Sequence, residues 1–169
     1  MKTKYLVLLS LSGLILSLDQ LVKHLVVSGR LGSESTTTIL NGLLDIKLVK
    51  NTGIAFGLLS RMRTERLQEI FFIGIPVFAL ILIVLIFIKL RDDQTETSFA
   101  LTTILGGAIG NLIDRIHYGY VIDFLDFHVG EWFHFPPFNI ADCSIMIGVT
   151  VMFLSTLLEA RSQPPFQEG

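Results

Sequence analysis

The stretch FNIADCSIMIGVTVMFLSTLL, residues 138–158, decides the class of fold. It is apolar over the roughly 20 residues that a membrane-spanning helix needs, and its one charged residue, Asp142, lies near its start. Just upstream, the apolar segment VIDF at residues 121–124 carries Asp123. An aspartate at the centre of a membrane helix costs about 2.5–3.5 kcal/mol, so acids in such settings usually face a protein interior and serve a function. Asp123 and Asp142 are therefore the candidate reactive groups.

Two carboxyl groups held close together share one proton, because both cannot ionise easily. Aspartic proteases use this arrangement to activate water. If the fold brings Asp123 and Asp142 together, the pair predicts a membrane-embedded aspartyl hydrolase. The sequence leaves open which of the two is the general base.

The composition is that of a membrane protein. Hydrophobic residues make up 51% of the 169 residues, charged residues only 17%, and the mean hydropathy is +0.64. A net charge of −2 gives no indication of nucleic-acid binding. A single cysteine, Cys143, excludes an intrachain disulfide and a metal site with two cysteines.

The predicted fold is an all-α membrane protein with one integral membrane domain, residues 1–169. Four transmembrane helices are expected at about 5–27, 70–88, 98–115 and 138–158. Residues 28–68 are polar and rich in turn residues, and predict a small extramembrane lobe. Residues 116–137 carry many aromatic side chains and predict an aromatic-rich loop at the membrane interface.

The lobe is expected to contain a β-hairpin. Residues 36–40 and the alternating apolar and polar residues 44–48 flank Asn41-Gly42, a pair typical of a two-residue turn. The alternate apolar side chains are expected to lie against the bilayer surface or the helix ends.

Polar residues also occur in and beside the other apolar segments. Asp19 and Lys23 are four residues apart and share a helix face. Asn111, Asp114 and Arg115 share a face at the end of the third helix, where Gly106 and Gly110 allow another helix to approach closely. Asn51 lies in a turn-like segment, and Asn139, one turn before Asp142, can support that carboxylate.

Five segments in the same order resemble the lipoprotein signal peptidases, the signal peptidase II family. They are DQLVK (19–23), NTGIAF (51–56), GGAIGNLIDR (106–115), VIDF (121–124) and FNIAD (138–142). Ile54 is the one small departure, since the family usually has alanine there. The resemblance covers most of the chain.

This resemblance implies a membrane aspartyl endopeptidase that cleaves diacylglyceryl-modified prolipoproteins just before the lipid-bearing cysteine. It implies Asp123 and Asp142 as catalytic residues. It also implies a supporting or substrate-binding shell, formed by Asp19, Lys23, Asn51, Asn111, Asp114, Arg115 and Asn139. No cofactor or metal is expected. The resemblance implies prolipoproteins and membrane lipids as partners, and a monomeric enzyme. It also implies a location in the bacterial cytoplasmic membrane, with the termini in the cytoplasm and the active site towards the outer face.

Other functions compete with hydrolysis. Intramembrane acids also mark proton carriers, and buried polar residues can simply lock helices together in a scaffold. A cysteine hydrolase would pair Cys143 with His117, His128 or His134, but none has a telling spacing. The absence of a His-x-x-x-His pair argues against a metal site. No Gly-x-Gly-Asp motif supports a presenilin-type protease.

Overall fold

A computed structural model describes residues 3–32, 36–53 and 70–162. Its helices are α1 (Thr3–Val27), α2 (Ile70–Lys89), α3 (Thr95–Tyr118) and α4 (Ile140–Ser162). All four are long and apolar enough to cross a membrane, which confirms the four predicted spans. The helix ends differ from the predicted ones by a few residues.

Helix α2 accommodates a proline by placing it near the start of regular α-helix. Its first turn, Ile70–Gly74, is π-helical, and the α-helical part, Ile75–Lys89, has Pro76 in its first turn. Proline is tolerated in the first turn of an α-helical segment. The rest of α2 presents mostly exposed apolar side chains, as expected for a surface in contact with lipid.

Helix α3 lies at the centre of the bundle and packs against α1, α2 and α4. The predicted close approach at its glycines is present. A Cβ on Gly106 would lie 3.1 Å from the Cα of Ser12, and one on Gly110 would lie 2.7 Å from Asp19 Oδ2. These two glycines therefore let α1 approach α3 closely enough for polar side chains to meet between the helices.

The strands form one antiparallel sheet in the order β1-β2-β3-β4: β1 is Thr37–Leu40, β2 Leu44–Asn51, β3 Val121–Val129 and β4 Phe133–His134. The first two strands confirm the predicted hairpin. Its connection has three residues rather than two, because Leu40 pairs with Leu44, and Gly42 takes a left-handed conformation with φ of 75°.

The predicted aromatic-rich loop at 116–137 is only partly a loop. Its residues 121–129 form β3, which pairs with β2 along most of its length. The reason is the run of β-branched and aromatic residues, which favours a strand, together with a hairpin whose open edge can accept one. In the described part of the chain, the extramembrane structure contains a four-stranded sheet. Residues 33–35 and 54–68 of the predicted lobe lie outside the described residues.

The sheet is attached to the bundle by a small apolar core. Val26 near the end of α1, Ile46 of β2 and Phe124 of β3 are buried against one another. This contact agrees with the expectation that hairpin side chains pack on a helix end. It also fixes Asp123, the neighbour of Phe124, above the bundle.

The opposite end of the bundle holds the N-terminal end of α1. Lys4 Nζ donates a hydrogen bond to the carbonyl of Leu90 and lies 3.5 Å from Asp92 Oδ1, in the connection between α2 and α3. The start of α1 and the α2–α3 connection therefore share one end of the bundle, and the sheet occupies the other.

Candidate active site

The two candidate aspartates meet where the sheet joins the bundle. Asp123 lies in β3 with 1% of its surface exposed, and Asp142 lies in the first turn of α4. Asn139, which is fully buried, contacts both. Its amide Nδ2 donates to Asp123 Oδ1 at 2.7 Å, and its backbone N–H donates to Asp142 Oδ2 at 3.2 Å.

Asn139 also begins α4. Its side-chain Oδ1 accepts a hydrogen bond from the backbone N–H of Asp142 at 2.8 Å. With the bond from its own N–H to Asp142 Oδ2, this makes the reciprocal pattern of a capping box. The predicted support of Asp142 by Asn139 is therefore present, and the same residue extends it to Asp123.

Asp123 has a second amide partner. Asn51, the last residue of β2, donates from Nδ2 to Asp123 Oδ2 at 2.8 Å, and its own Oδ1 accepts the N–H of Gly53 at 2.9 Å. Burial raises the pKa of Asp123 to about 6, the Asn51 amide opposes that rise, and the nearby charge of Asp142 adds to it. Asp123 thus holds a proton far more readily than a solvated aspartate does.

Beneath the two aspartates lies a buried ionic cluster around Lys23. Its ammonium Nζ lies 2.8 Å from Asp19 Oδ2 on the same helix and 2.7 Å from Asp114 Oδ2 on α3. It also donates to Asn111 Oδ1 at 3.0 Å. Asp114 therefore pairs with Lys23 rather than with the neighbouring Arg115, whose Nη1 donates a long hydrogen bond of 3.4 Å to the carbonyl of Asn111.

The acids of this cluster hold the backbone next to each candidate aspartate. Asp114 Oδ2 accepts the N–H of Ile122 at 3.0 Å, one residue before Asp123. Asp19 Oδ1 accepts the N–H of Ala141 at 3.0 Å, one residue before Asp142. The cluster thus fixes the position of both carboxyl groups through the main chain.

Asn111 connects the cluster to the aspartates directly. Its Nδ2 donates to Asp142 Oδ1 at 2.8 Å, and its Oδ1 accepts from Asn139 Nδ2 at 3.1 Å as well as from Lys23. Gln20 was not among the predicted residues, although it lies inside the DQLVK segment. Its Nε2 donates to Asp114 Oδ1 at 3.1 Å and to the carbonyl of Gly110 at 3.2 Å.

A cleft of about 230 Å³ opens beside Asp142. The predicted residues Asn51, Asn111 and Arg115 lie in its wall. Gly53 lies in the NTGIAF segment and Val121 in the VIDF segment, whereas nothing in the sequence pointed to the remaining lining residue, Phe72. Amide and guanidinium groups and a carboxylate therefore share one concave surface.

The three histidines of the cysteine-hydrolase alternative have other neighbours. His128 stacks on His134 in the sheet, with ring centroids 5.3 Å apart, and His117 contacts Tyr118 at the end of α3 with centroids 4.5 Å apart. Among the described residues, no hydrogen bond joins any of them to Cys143. The geometry thus favours the aspartates as the reactive groups.

Known proteins resemble this one in sequence and in fold. The family model described as signal peptidase (SPase) II matches residues 11–158. The lipoprotein signal peptidase of Geobacter sulfurreducens is 40% identical over 150 residues, covering 89% of this chain and 91% of that protein. The enzyme of the same name from Brevibacillus brevis is 39% identical over 151 residues, covering 89% and 95%.

A solved structure agrees over the whole length. A bacterial membrane enzyme determined by the in meso method at 2.3 Å resolution superposes with a TM-score of 0.78 at 28% identity, covering 100% of this chain and 96% of that one. The chain is therefore a multi-pass membrane peptidase and belongs to the signal peptidase II family.

Proposed function

We propose that this protein is an aspartic endopeptidase that removes the signal peptide from diacylglyceryl-modified prolipoproteins, with Asp123 and Asp142 as its catalytic residues. The observation that carries the proposal is the position of Asn139, which bonds Asp123 through its amide and Asp142 through its backbone N–H. One residue thereby holds two carboxyl groups side by side. The relatives are named lipoprotein signal peptidases, which supports this substrate class.

The reaction needs one ionised and one protonated carboxyl group. The ionised group takes a proton from water, and the protonated group donates to the scissile carbonyl as the oxygen of water adds to its carbon. The burial that raises the pKa of Asp123 to about 6 favours a single proton on the pair up to about that pH, well above the range in which solvated aspartates keep one. The two titrations belong to the pair rather than to either residue.

The cleft supplies the place for the peptide. Asn51 at the end of β2 and Arg115 at the end of α3 lie in its wall together with Asp142, so polar groups are available to the peptide backbone on more than one side. The scissile bond would be the one just before the lipid-bearing cysteine. A diacylglyceryl group anchored in the bilayer would deliver that bond to a site at the membrane surface, and such positioning supplies part of the catalysis.

We further propose a monomer in the bacterial cytoplasmic membrane, with its termini in the cytoplasm and the sheet on the outer side. The sheet and the aspartates share one end of the bundle, while the α2–α3 connection and the start of α1 share the other. An outward-facing sheet would place the cleft on the side to which lipoproteins are exported.

The test compares wild type, Asp123→Asn and Asp142→Asn, purified in detergent and matched for thermal unfolding. Asp93→Asn, in the exposed α2–α3 connection, is the matched control. Each is assayed by gel shift on a prolipoprotein with and without the diacylglyceryl group, and the new N-terminus is read by mass spectrometry.

We expect wild type and Asp93→Asn to cleave only the lipidated substrate, and to cleave it just before the modified cysteine. Both active-site variants should be inactive. Near-normal cleavage by either folded active-site variant would remove that aspartate from catalysis. Lack of cleavage by wild type would contradict the proposal and favour the proton-carrier alternative, which is tested by measuring proton flux into liposomes.

A further inference from the structure

Four potential metal ligands converge on one face of the sheet, away from the two aspartates of the active site. Asp126 and His128 are two residues apart on β3, so their side chains point to the same face. His134 of β4 lies directly opposite His128, and Asp45 of β2 lies directly opposite Asp126. Cross-strand partners share a face, so all four side chains project together.

Their separations are close to those of a metal site. One ligand atom each from Asp126, His128 and His134 can be chosen so that all lie within 4.8 Å of one another. His128 Nε2 lies 3.9 Å from Asp45 Oδ2. Ligand atoms around a tetrahedral Zn²⁺ are roughly 3.4 Å apart, given bonds of about 2.1 Å. Small side-chain rotations would bring three or four of these atoms into range.

Among the described residues, polar atoms in this cluster are left without hydrogen-bond partners. Asp45 Oδ1 and His128 Nδ1 are buried and have no hydrogen-bond partner within the described part of the chain. Asp45 and Asp126 also stand opposite each other as like charges, an arrangement that destabilises a sheet. Lys47 compensates Asp126, with Nζ 2.6 Å from Oδ2, whereas the one ion-pair partner of Asp45 among the described residues is His128, at 3.9 Å.

We propose that Asp126, His128 and His134, with Asp45 as the fourth ligand, bind a divalent transition-metal ion of the Zn²⁺ class. Two imidazoles and two carboxylates are a ligand set that Zn²⁺ accepts in tetrahedral geometry. His134 is exposed at the edge of the sheet and gives the ion a path of entry. One oxygen of Asp126 can bind the metal while the other keeps Lys47.

The sequence has no helical His-x-x-x-His pair to mark this site, because the ligands lie on strands. Strand ligands recur at every second residue and across neighbouring strands, so their spacing differs from that on a helix. The ion would join β2, β3 and β4. Asn51 and Asp123 lie on the first two of these strands, so the proposed role is to stabilise the sheet that carries them.

The experiment uses the full chain without an affinity tag, purified in detergent and freed of metal with a chelator. Zn²⁺ binding is measured by isothermal titration calorimetry, and Co²⁺ is added separately to read the absorption of a tetrahedral site. The variants are His128→Ala and His134→Ala. His117→Ala, an exposed histidine at the end of α3, is the matched control.

We expect wild type and His117→Ala to bind one Zn²⁺ per chain, to show the tetrahedral Co²⁺ spectrum and to unfold at a higher temperature with Zn²⁺. His128→Ala and His134→Ala should each bind at least about tenfold more weakly and lose the spectrum. Failure of wild type to bind saturably, or equal binding by the His134→Ala variant, would overturn the proposal. Because His134 is exposed, His134→Ala should fold normally, so its Zn²⁺ binding tests the proposal even if His128→Ala does not fold.

Discussion

The side-chain amide of Asn139 donates to Asp123 Oδ1 at 2.7 Å, across the junction between sheet and bundle. The same residue caps α4 and so fixes Asp142 in the first turn of that helix. Its position in the chain, at the boundary of a loop and a helix, lets one side chain serve the sheet and the bundle together. The distance between the two carboxyl groups therefore depends on Asn139.

Replacing Asn139 by alanine should reduce stability and activity together. The loss of the cap costs about 1 kcal/mol, and leaving a buried carboxyl without one donor costs about 1–3 kcal/mol. Misplacement of the aspartates should lower kcat at least about 100-fold. Thermal unfolding in detergent and kcat on lipidated prolipoprotein measure the two effects.

Asn139→Asp separates the cap from the amide donor, because the aspartate keeps a capping oxygen but replaces the donor by a third carboxyl group. It should lose activity while keeping the cap, and the burial of a third carboxyl group should lower its stability. Asn41→Ala, in the exposed hairpin turn, serves as the control and should behave as wild type. A normal kcat for Asn139→Asp would show that the bond to Asp123 is dispensable.

The raised pKa of Asp123 should appear in the pH dependence of stability. Its pKa is about 6 in the folded protein against an ordinary 3.8, so the folded state binds more protons between those values. Stability is therefore favoured below about pH 4 and falls as pH rises through 6, by roughly 3 kcal/mol in total. Asp123→Asn removes this dependence, since asparagine does not titrate.

The measurement is the difference in unfolding free energy between wild type and Asp123→Asn at a series of pH values. The other carboxyl groups titrate in both proteins and largely cancel. The unfolding free energy of Asp123→Asn relative to that of wild type should rise from about pH 4 to about pH 7. Parallel curves over that range would mean that the carboxyl of Asp123 is solvated in the folded protein.

The sequence predicted the four spans because a run of about 20 apolar residues has few other interpretations. It also predicted the hairpin, from Asn41-Gly42 between alternating segments. It did not predict β3, because aromatic residues near a membrane favour an interfacial loop as readily as a strand. Pairing with β2, which is distant in sequence, favours the strand over the loop at residues 121–129.

The sequence predicted the polar residues that lie around the two aspartates, but only some of the contacts between them. Asp19 and Lys23 are four residues apart on one helix, and their ion pair could be expected from that spacing. The pairing of Asp114 with Lys23 rather than with Arg115 depends on the approach of α1 to α3, which no local spacing reveals. The backbone bonds to Ile122 and Ala141 depend on the same tertiary contact.

Replacing Lys23 by methionine should strongly destabilise the protein. The side chain is 2% exposed and is the cation between Asp19 and Asp114, so methionine would leave two buried carboxylates facing each other. Removing one partner of a buried ion pair commonly costs about 3–5 kcal/mol. Thermal unfolding of the purified variant measures the loss.

The same substitution made together with Asp19→Asn and Asp114→Asn should cost much less, since no uncompensated charge remains. The triple variant should still have little activity, because the amides cannot hold Ile122 and Ala141 as the carboxylates do. An equal cost of Lys23→Met in both backgrounds would mean that Lys23 acts by packing alone.

Gly110 should not tolerate alanine. The added Cβ would lie 2.7 Å from Asp19 Oδ2, so the carboxylate that holds Lys23 and the N–H of Ala141 must move. Alanine is otherwise the better helix former by about 1 kcal/mol. Gly13→Ala, on α1 with no atom within 4 Å of the new Cβ, should therefore be neutral or stabilising. Unfolding temperature and kcat for both variants test this, and equal tolerance at the two positions would contradict the close contact of α1 with α3.

The proposed orientation predicts which single cysteines react from outside the cell. Trp132, in the connection between β3 and β4, is 82% exposed, and the side chain of Asp93, in the connection between α2 and α3, is 64% exposed. In a Cys143→Ala background, Trp132→Cys should react with a membrane-impermeant maleimide on intact cells. Asp93→Cys should react only after permeabilisation, because the two connections lie at opposite ends of four spanning helices. Gel shift of the purified protein reads the labelling, and the reverse pattern would place the aspartates on the cytoplasmic side, where exported lipoproteins could not reach them.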